Sequence, residues 1–467
     1  MPEIHDPCQL TARALADRLR RGQLSAVDAL AAHLARIDRD NPALGAVVSI
    51  DRDRAHQQAV AADAALRRGE PLGPLHGVPM TLDDAHDVAG LRTTVGAAAL
   101  DRLASEDGAV AARLRAAGAN LFGHTNVAAY LADYQSANDL FGRTANPWDP
   151  ARTAGGSSGG AAAALAAGMT PLEVGSDMAG SIRLPAHFCG VYGLKTTEHR
   201  VPLTGFFRPP PGTPRPVRIM SCLGPMARDL GDLELALSII AGPDRVDADV
   251  APVPLSPPIP RHLGDLRLAV ATSLPGVPVA REVREEIERV ASRASDAGAE
   301  IVERLPELDW AAIGELFGGL VSALTGQFDP TADLPDHQRS LAWYLEALDR
   351  RDHLAAAWDA FFDDIDALLL PPAMTTAFPH AEQYADIDVD GEPRTYADHG
   401  RLLVFANVTG APALVAPAGS SGDGLPIGVQ IVGPRWSEIH LIEIARALEE
   451  AGVLPGFQRP PDPARIA

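Results

Sequence analysis

Short apolar strands alternate with helical stretches along the whole of this chain, and that alternation argues an α/β fold. Residues 9–70 read as mostly helical. Leu15 and Leu19 share one helix face and Gly22 then interrupts. Ser25 is placed to N-cap a helix in which Val27, Leu30, Leu34 and Ile37 recur at spacings of three and four. Asn41-Pro42 is expected to break that pattern, and Asp51 to Arg68 resumes as an alanine-rich helix. Leu75 to Leu82 reads as a short buried strand opening a loop, Val110 to Ala117 as a helix capped by Gly118, and Leu121-Phe122 as the start of another strand. The Gly/Ser run from Gly155 to Gly160 leads straight into Ala161–Ala167, a strong helix former. Residues 205–216 carry five prolines and cannot be regular structure. Residues 242–262 are again proline-rich and read as a connector. The last strand–helix pair is Gly428 to Val432 with Ile439 to Ala451.

Composition narrows the function. A net charge of −21 argues against a nucleic-acid partner. No stretch reaches the roughly 20 apolar residues of a membrane span, and neither end reads as a targeting signal, so a cytoplasmic protein with no membrane partner is expected. Cys8, Cys189 and Cys222 are few and widely spaced, as reduced thiols are, and form no zinc or disulfide pattern. No His-Glu-x-x-His spacing exists, so no metal and no cofactor are expected. The single lysine, Lys195, follows Leu194, which rules out a nucleotide-binding P-loop. With arginine supplying the remaining basic charge, the composition points to a GC-rich, bacterial genome.

The Gly155–Gly160 run satisfies the G-x-S-x-G nucleophile pattern twice. That motif needs a hydrophobic strand directly before it, and the turn-like Asn146-Pro147-Trp148-Asp149-Pro150 stands there instead. Taken alone, Ser157 reads as an N-cap for the alanine helix. Ser181, before Ile182-Arg183, reads as another cap.

Three blocks taken together say more. The first is Gly73-Pro-Leu-His-Gly-Val-Pro79 with Leu82, Asp83, Asp84 and Asp87-Val-Ala-Gly90. The second runs from Asn146 to Thr153 and on through Gly155-Gly-Ser-Ser-Gly-Gly160. The third is Gly175-Ser-Asp-Met-Ala-Gly-Ser-Ile-Arg183, continuing to Lys195. Gly123-His-Thr-Asn126, Gly224-Pro-Met-Ala-Arg228 and Gly424 to Gln430 agree with them. This ordered set resembles the amidase signature family over nearly the whole chain. The resemblance implies one α/β/α sandwich spanning 1–467, with a large mixed sheet flanked by helices. Its parts would be a helical N-terminal segment (about 9–70), a signature core (about 73–240), the connector (about 242–262) and a C-terminal part (about 263–455). It also implies acyl transfer from an amide. Ser181 would be the nucleophile and Ser157 a bridging serine after a cis peptide bond. The backbone N–H groups of Met178, Ala179, Gly180 and Ser181 would stabilise the oxyanion, with Ser158 beside them. Asp177 and Arg183 read as structural partners of that loop.

The sequence departs from the family where it matters most. The catalytic lysine should stand six residues after Gly77, and Asp83 stands there. His124 replaces a usual lysine and Ala179 a usual glycine. An aspartate is a weak base at neutral pH unless burial or the neighbouring Asp84 raises its pKa, and it is too short to be sure of reaching Ser157 without a water. His86 is an alternative base. Three functions follow: an amide-processing hydrolase or acyltransferase with an altered base, a non-hydrolytic enzyme using Asp83 as general acid or base, or a catalytically silent binding or partner protein. Phe206, Phe207 and residues 208–216 are candidate pocket walls for a small-molecule substrate, and a homodimer is expected on general grounds.

Overall fold

In the strand Ala367–Leu370, successive side chains enter two separate cores: Ala367 and Leu369 fill one, Leu368 and Leu370 the other. Such two-sided burial belongs to a sheet covered on both faces. The computed structural model describes residues 6–208, 215, 217–326, 335, 338 and 340–461. The proline run at 209–214 and 216 lies outside the described residues.

The central sheet has eight strands, in the order Glu300–Glu303, Arg267–Val270, Ala367–Leu370, Pro426–Val432, Ala413–Ser420, Tyr192–Lys195, Cys222–Ala227 and Leu172–Asp177. The first three are parallel and every later pairing is antiparallel, so the sheet is mixed. The helices Leu230–Ile240 and Glu438–Glu450 cover one face with Leu233, Leu237, Leu441 and Leu448. Trp358 from the helix Leu341–Phe361, with Leu402 and Phe405, fills the other.

A three-stranded sheet completes the frame. Asn120–Thr125 lies in its centre, antiparallel to Val47–Ile50 and parallel to Pro79–Asp83. Thr81 of Pro79–Asp83 bonds Glu173 of Leu172–Asp177, joining the edges of the two sheets. The helix Gly159–Ala167 is buried on every side. It can be so because it is built of Gly, Ala and one Leu: a Cβ added at Gly160 would run into the backbone of Asn126.

Ser25 caps its helix as expected, accepting from Asp28 N–H at 3.0 Å. The helix does not stop at Asn41-Pro42 but runs from Ala26 to Leu44. Pro42 sits in the last turn, and the Asn41 side chain accepts from Ala46 and Val47 N–H, both at 2.8 Å, organising the exit instead. Residues 9–70 also contain the strand Val47–Ile50. The strand expected over Leu75–Leu82 is Pro79–Asp83, because Val78 N–H bonds Leu75 C=O and Gly77 takes φ +70°, making a turn first. Among the described residues, no helix is long and apolar enough to cross a membrane.

Candidate active site

The Gly/Ser loop is held from outside itself. Ser136 Oγ donates to the Ser157 carbonyl at 2.7 Å and accepts from Gly159 N–H at 2.8 Å. The alanine helix is therefore capped by Ser136, and neither Ser157 nor Ser158 serves as its side-chain cap. No local signal in the sequence marks Ser136. The Gly156–Ser157 peptide is cis, and the Ser157 hydroxyl is buried with no hydrogen-bond partner among the described residues. Ser158 N–H donates to the Ser181 carbonyl at 3.2 Å, bringing the two serine loops together. Ser158 Oγ accepts from Ser176 N–H at 3.3 Å. Gly175 leaves room for it, since a Cβ there would lie 2.7 Å from that oxygen.

The Ser181 loop is built around a fully buried ion pair. Arg183 Nη2 and Nε donate to the two Asp177 oxygens at 2.8 and 2.9 Å, a fork matched to a carboxylate. Burial alone would raise the Asp177 pKa, but the Arg183 charge and hydrogen bonds hold it down at about 2. Asp177 in turn accepts from Gly180 N–H at 2.9 Å and Ile182 N–H at 3.3 Å, which curls the chain past Ser181. Gly180 takes φ +107°, and a Cβ there would run into Leu403. Ser181 is 8% exposed, between the half-buried Met178 and Ala179 and the closed core. Among the described residues, the N–H groups of Met178, Ala179 and Ser181 have no partner. That of Gly180 is taken by Asp177, so of the four expected oxyanion donors Gly180 drops out.

Asp83 ends its strand, wholly buried. Its Oδ2 accepts from Ser158 Oγ at 2.6 Å and its Oδ1 from Thr125 Oγ1 at 3.3 Å. It has no bond to Ser157. Burial pushes its pKa up to about 7; the two hydroxyl bonds oppose this and the charge of Asp84 adds to it. Asp84 is raised to about 6 by burial, against hydrogen bonds from Thr94 and Gly96. His86 packs on Phe206, with ring centroids 5.2 Å apart. Burial lowers its pKa to about 3, and its Nε2 has no partner among the described residues. It is not placed as the base beside either serine. His124 holds Nδ1 3.0 Å from the Arg92 carbonyl, and burial lowers its pKa to about 4. Lys195 cannot stand in for the missing lysine, because its ammonium donates to the carbonyls of Thr196 and Ala411 at 3.1 and 2.7 Å. The largest surface cleft among the described residues is lined by Phe206, Phe207, Asp87 and Arg208, and contains neither serine nor Asp83.

The Amidase family profile matches residues 28–323 and 318–442. The chain belongs to the amidase family. The A chain of the glutamyl-tRNA(Gln) amidotransferase of Thermus thermophilus is 34% identical over 95% of this chain and 97% of its own. Among solved structures, one described as "An unexpected vestigial protein complex reveals the evolutionary origins of an s-triazine catabolic enzyme" shares 29% identity. It superposes with a TM-score of 0.84 over 95% of this chain and 99% of that one. A bacterial aryl acylamidase of the amidase signature (AS) enzymes family shares the fold, with a TM-score of 0.83 at 24% identity over 96% and 97% of the two chains. As an amidase-family enzyme, the protein acts on amide C–N bonds. Of the expected site, this amidase brings together Ser157, Ser158, Ser181 and Asp83, and it leaves His86 and Lys195 apart.

Proposed function

We propose that this enzyme cleaves an amide by acyl transfer to Ser181, with Asp83 replacing the family's lysine as the base. The observation that carries this is the buried Asp83 carboxyl, bonded to the hydroxyl of Ser158 and raised by burial to a pKa of about 7. A base is most effective with a pKa near the working pH.

Ser181 Oγ attacks the carbonyl carbon, and its proton passes to the Ser157 hydroxyl, which gives up its own proton to Asp83 across one bridging water. The Ser157 hydroxyl has donor and acceptor capacity free for this relay, and hydrogen bonds that are open in an empty site tighten when substrate fills it. The N–H groups of Met178, Ala179 and Ser181 take the oxyanion, each such donor contributing about 2.7–4 kcal/mol. Collapse breaks the C–N bond, and the leaving amine receives the proton back from Asp83. Water or an amine then attacks the acyl-Ser181 ester, releasing the acid or a new amide and restoring the hydroxyl.

The substrate in this reading is a small-molecule amide, and the acidic composition disfavours a nucleic-acid partner. Relatives named as parts of an amidotransferase make a second protein an alternative to a homodimer. Light scattering on the purified chain distinguishes a homodimer from a monomer. A second reading, in which Asp83 is a general acid or base for a non-hydrolytic reaction, draws on the missing bond between Asp83 and Ser157. The test of both is a fluorophosphonate probe read by intact mass. One adduct on wild type and none on Ser181→Ala supports acyl transfer. Labelling only in Asp83→Lys would sink it and leave the second reading.

A further inference from the structure

Glu173 is a polar residue buried deep beside Asp83 that takes no part in the acyl-transfer steps. It lies on the strand Leu172–Asp177, wholly buried, and reaches across to the neighbouring strand Pro79–Asp83, where its Oε1 accepts from the Thr81 hydroxyl. Thr81 and Asp83 are two residues apart on that strand and so share a face. The Thr125 hydroxyl donates to Asp83 Oδ1 and also faces the Glu173 carboxyl, as does that of Thr170. Glu173 Oε2 has no hydrogen-bond partner among the described residues.

Among the described residues, the surroundings contain no cation to balance two negative charges. Asp83 faces Ser158, Thr125 and Asp84; Glu173 faces Thr81, Thr125, Thr170 and Asp83. Asp84 is turned to Thr94 and lies 3.6 Å from His124 Nδ1. His124 and His86 are both held neutral by burial. Among the described residues, neither Asp83 nor Glu173 makes an ion pair. Two carboxyls sharing a dry site without a counter-charge do not both ionise at neutral pH.

We propose that Glu173 is a positioning residue for the base, a neutral carboxylic acid that shares the buried threonine hydroxyls with Asp83, so that the pair carries one proton and Asp83 is the partner that ionises. This rests on the reading of Asp83 as base. The assignment within the pair follows from the donors: Asp83 has bonds from two hydroxyls to stabilise its anion, whereas one Glu173 oxygen has none. Burial and the Asp83 charge raise Glu173 well above the ordinary carboxyl range, in the same direction. Glu173 thereby fills the space beside Asp83 without adding the second negative charge that would push the Asp83 pKa higher still.

Infrared spectroscopy of the full-length enzyme tests the pair without reference to turnover. A protonated-carboxyl band should persist at pH 8 in wild type and vanish in Glu173→Gln. In Asp83→Asn that band should titrate away at least about one pH unit lower, because the neighbouring charge is gone. Glu173→Gln, which mimics the neutral acid, should keep fluorophosphonate labelling at pH 7 within about threefold of wild type. A band that survives Glu173→Gln, a midpoint that Asp83→Asn does not move, or a hundredfold loss of labelling in Glu173→Gln would each overturn the proposal. If wild type takes no label at all, the reading of Asp83 as base has failed, and the infrared titration still decides whether the two carboxyls share a proton.

Discussion

Ser158 Oγ donates to Asp83 Oδ2 at 2.6 Å, linking residues 75 positions apart in the wholly buried floor of the site. That bond stabilises the anion and opposes the rise in pKa that burial causes. Removing it in Ser158→Ala should raise the midpoint of the labelling rate against pH by about one unit, the size expected for one hydrogen bond to a charged group at about 1.4 kcal/mol. At pH 7 labelling should then fall about tenfold. An unchanged midpoint would mean that Asp83 is not the group whose ionisation is being read.

The pH profile itself has a required direction. Asp83 is a base only when ionised, and its pKa is raised from the ordinary carboxyl value to about 7. Labelling of Ser181 should therefore be slow at pH 5, rise about tenfold per unit below the midpoint, and level off above about pH 7. Asp83→Asn should be low and flat across the same range. Asp84→Asn should shift the midpoint slightly downward, because the Asp84 charge contributes to raising Asp83. A profile unaffected by Asp83→Asn would remove the carboxylate from the mechanism.

The serine loops were legible in the sequence because their signals are local. Glycines flank Ser157 and Ser181 at fixed spacing, and the structure places the two loops in contact through Ser158 N–H and the Ser181 carbonyl. The α/β alternation was legible for the same reason. What each side chain meets was less legible. Asp83 turns to Ser158 rather than Ser157, a choice made across 75 residues of chain that periodicity does not record. Glu173 lies in the strand Leu172–Asp177, and only the meeting of two sheet edges buries it. Gly180 was an expected oxyanion donor, but its N–H is taken by Asp177, which the spacing alone does not reveal. Pro42 reads as a helix break, yet it sits in a last turn whose exit is organised by Asn41.

Gly180→Ala should damage the oxyanion loop specifically. The residue sits at φ +107°, a conformation L-residues avoid, and its Cβ would meet the Leu403 side chain. The expected cost is about 1–3 kcal/mol of stability. Labelling should fall by at least about tenfold, because Ser181 and the Met178 and Ala179 N–H groups move with the loop. Wild-type labelling in a folded Gly180→Ala protein would show that the loop geometry does not limit the chemistry.

Stability gives an independent check on Asp83. Its folded pKa of about 7 lies above the unfolded aspartate value of about 3.9. The folded state therefore holds more protons than the unfolded state between those two pH values, and stability falls as pH rises through that window. Below about pH 4 both states are protonated and the penalty is absent. Above about pH 7 it is complete, roughly 4 kcal/mol for a shift of about three units. Asp83→Asn keeps the shape and removes the ionisation, so its melting temperature should exceed that of wild type at pH 8 by several degrees, with the difference shrinking toward zero near pH 4. Glu173→Gln should show the same sign with its window displaced to higher pH, because burial raises that carboxyl too. An Asp83→Asn protein that is less stable than wild type at pH 8 would mean that a cation offsets the carboxylate charge in solution, and the neutral, cation-free surroundings described for it would be wrong.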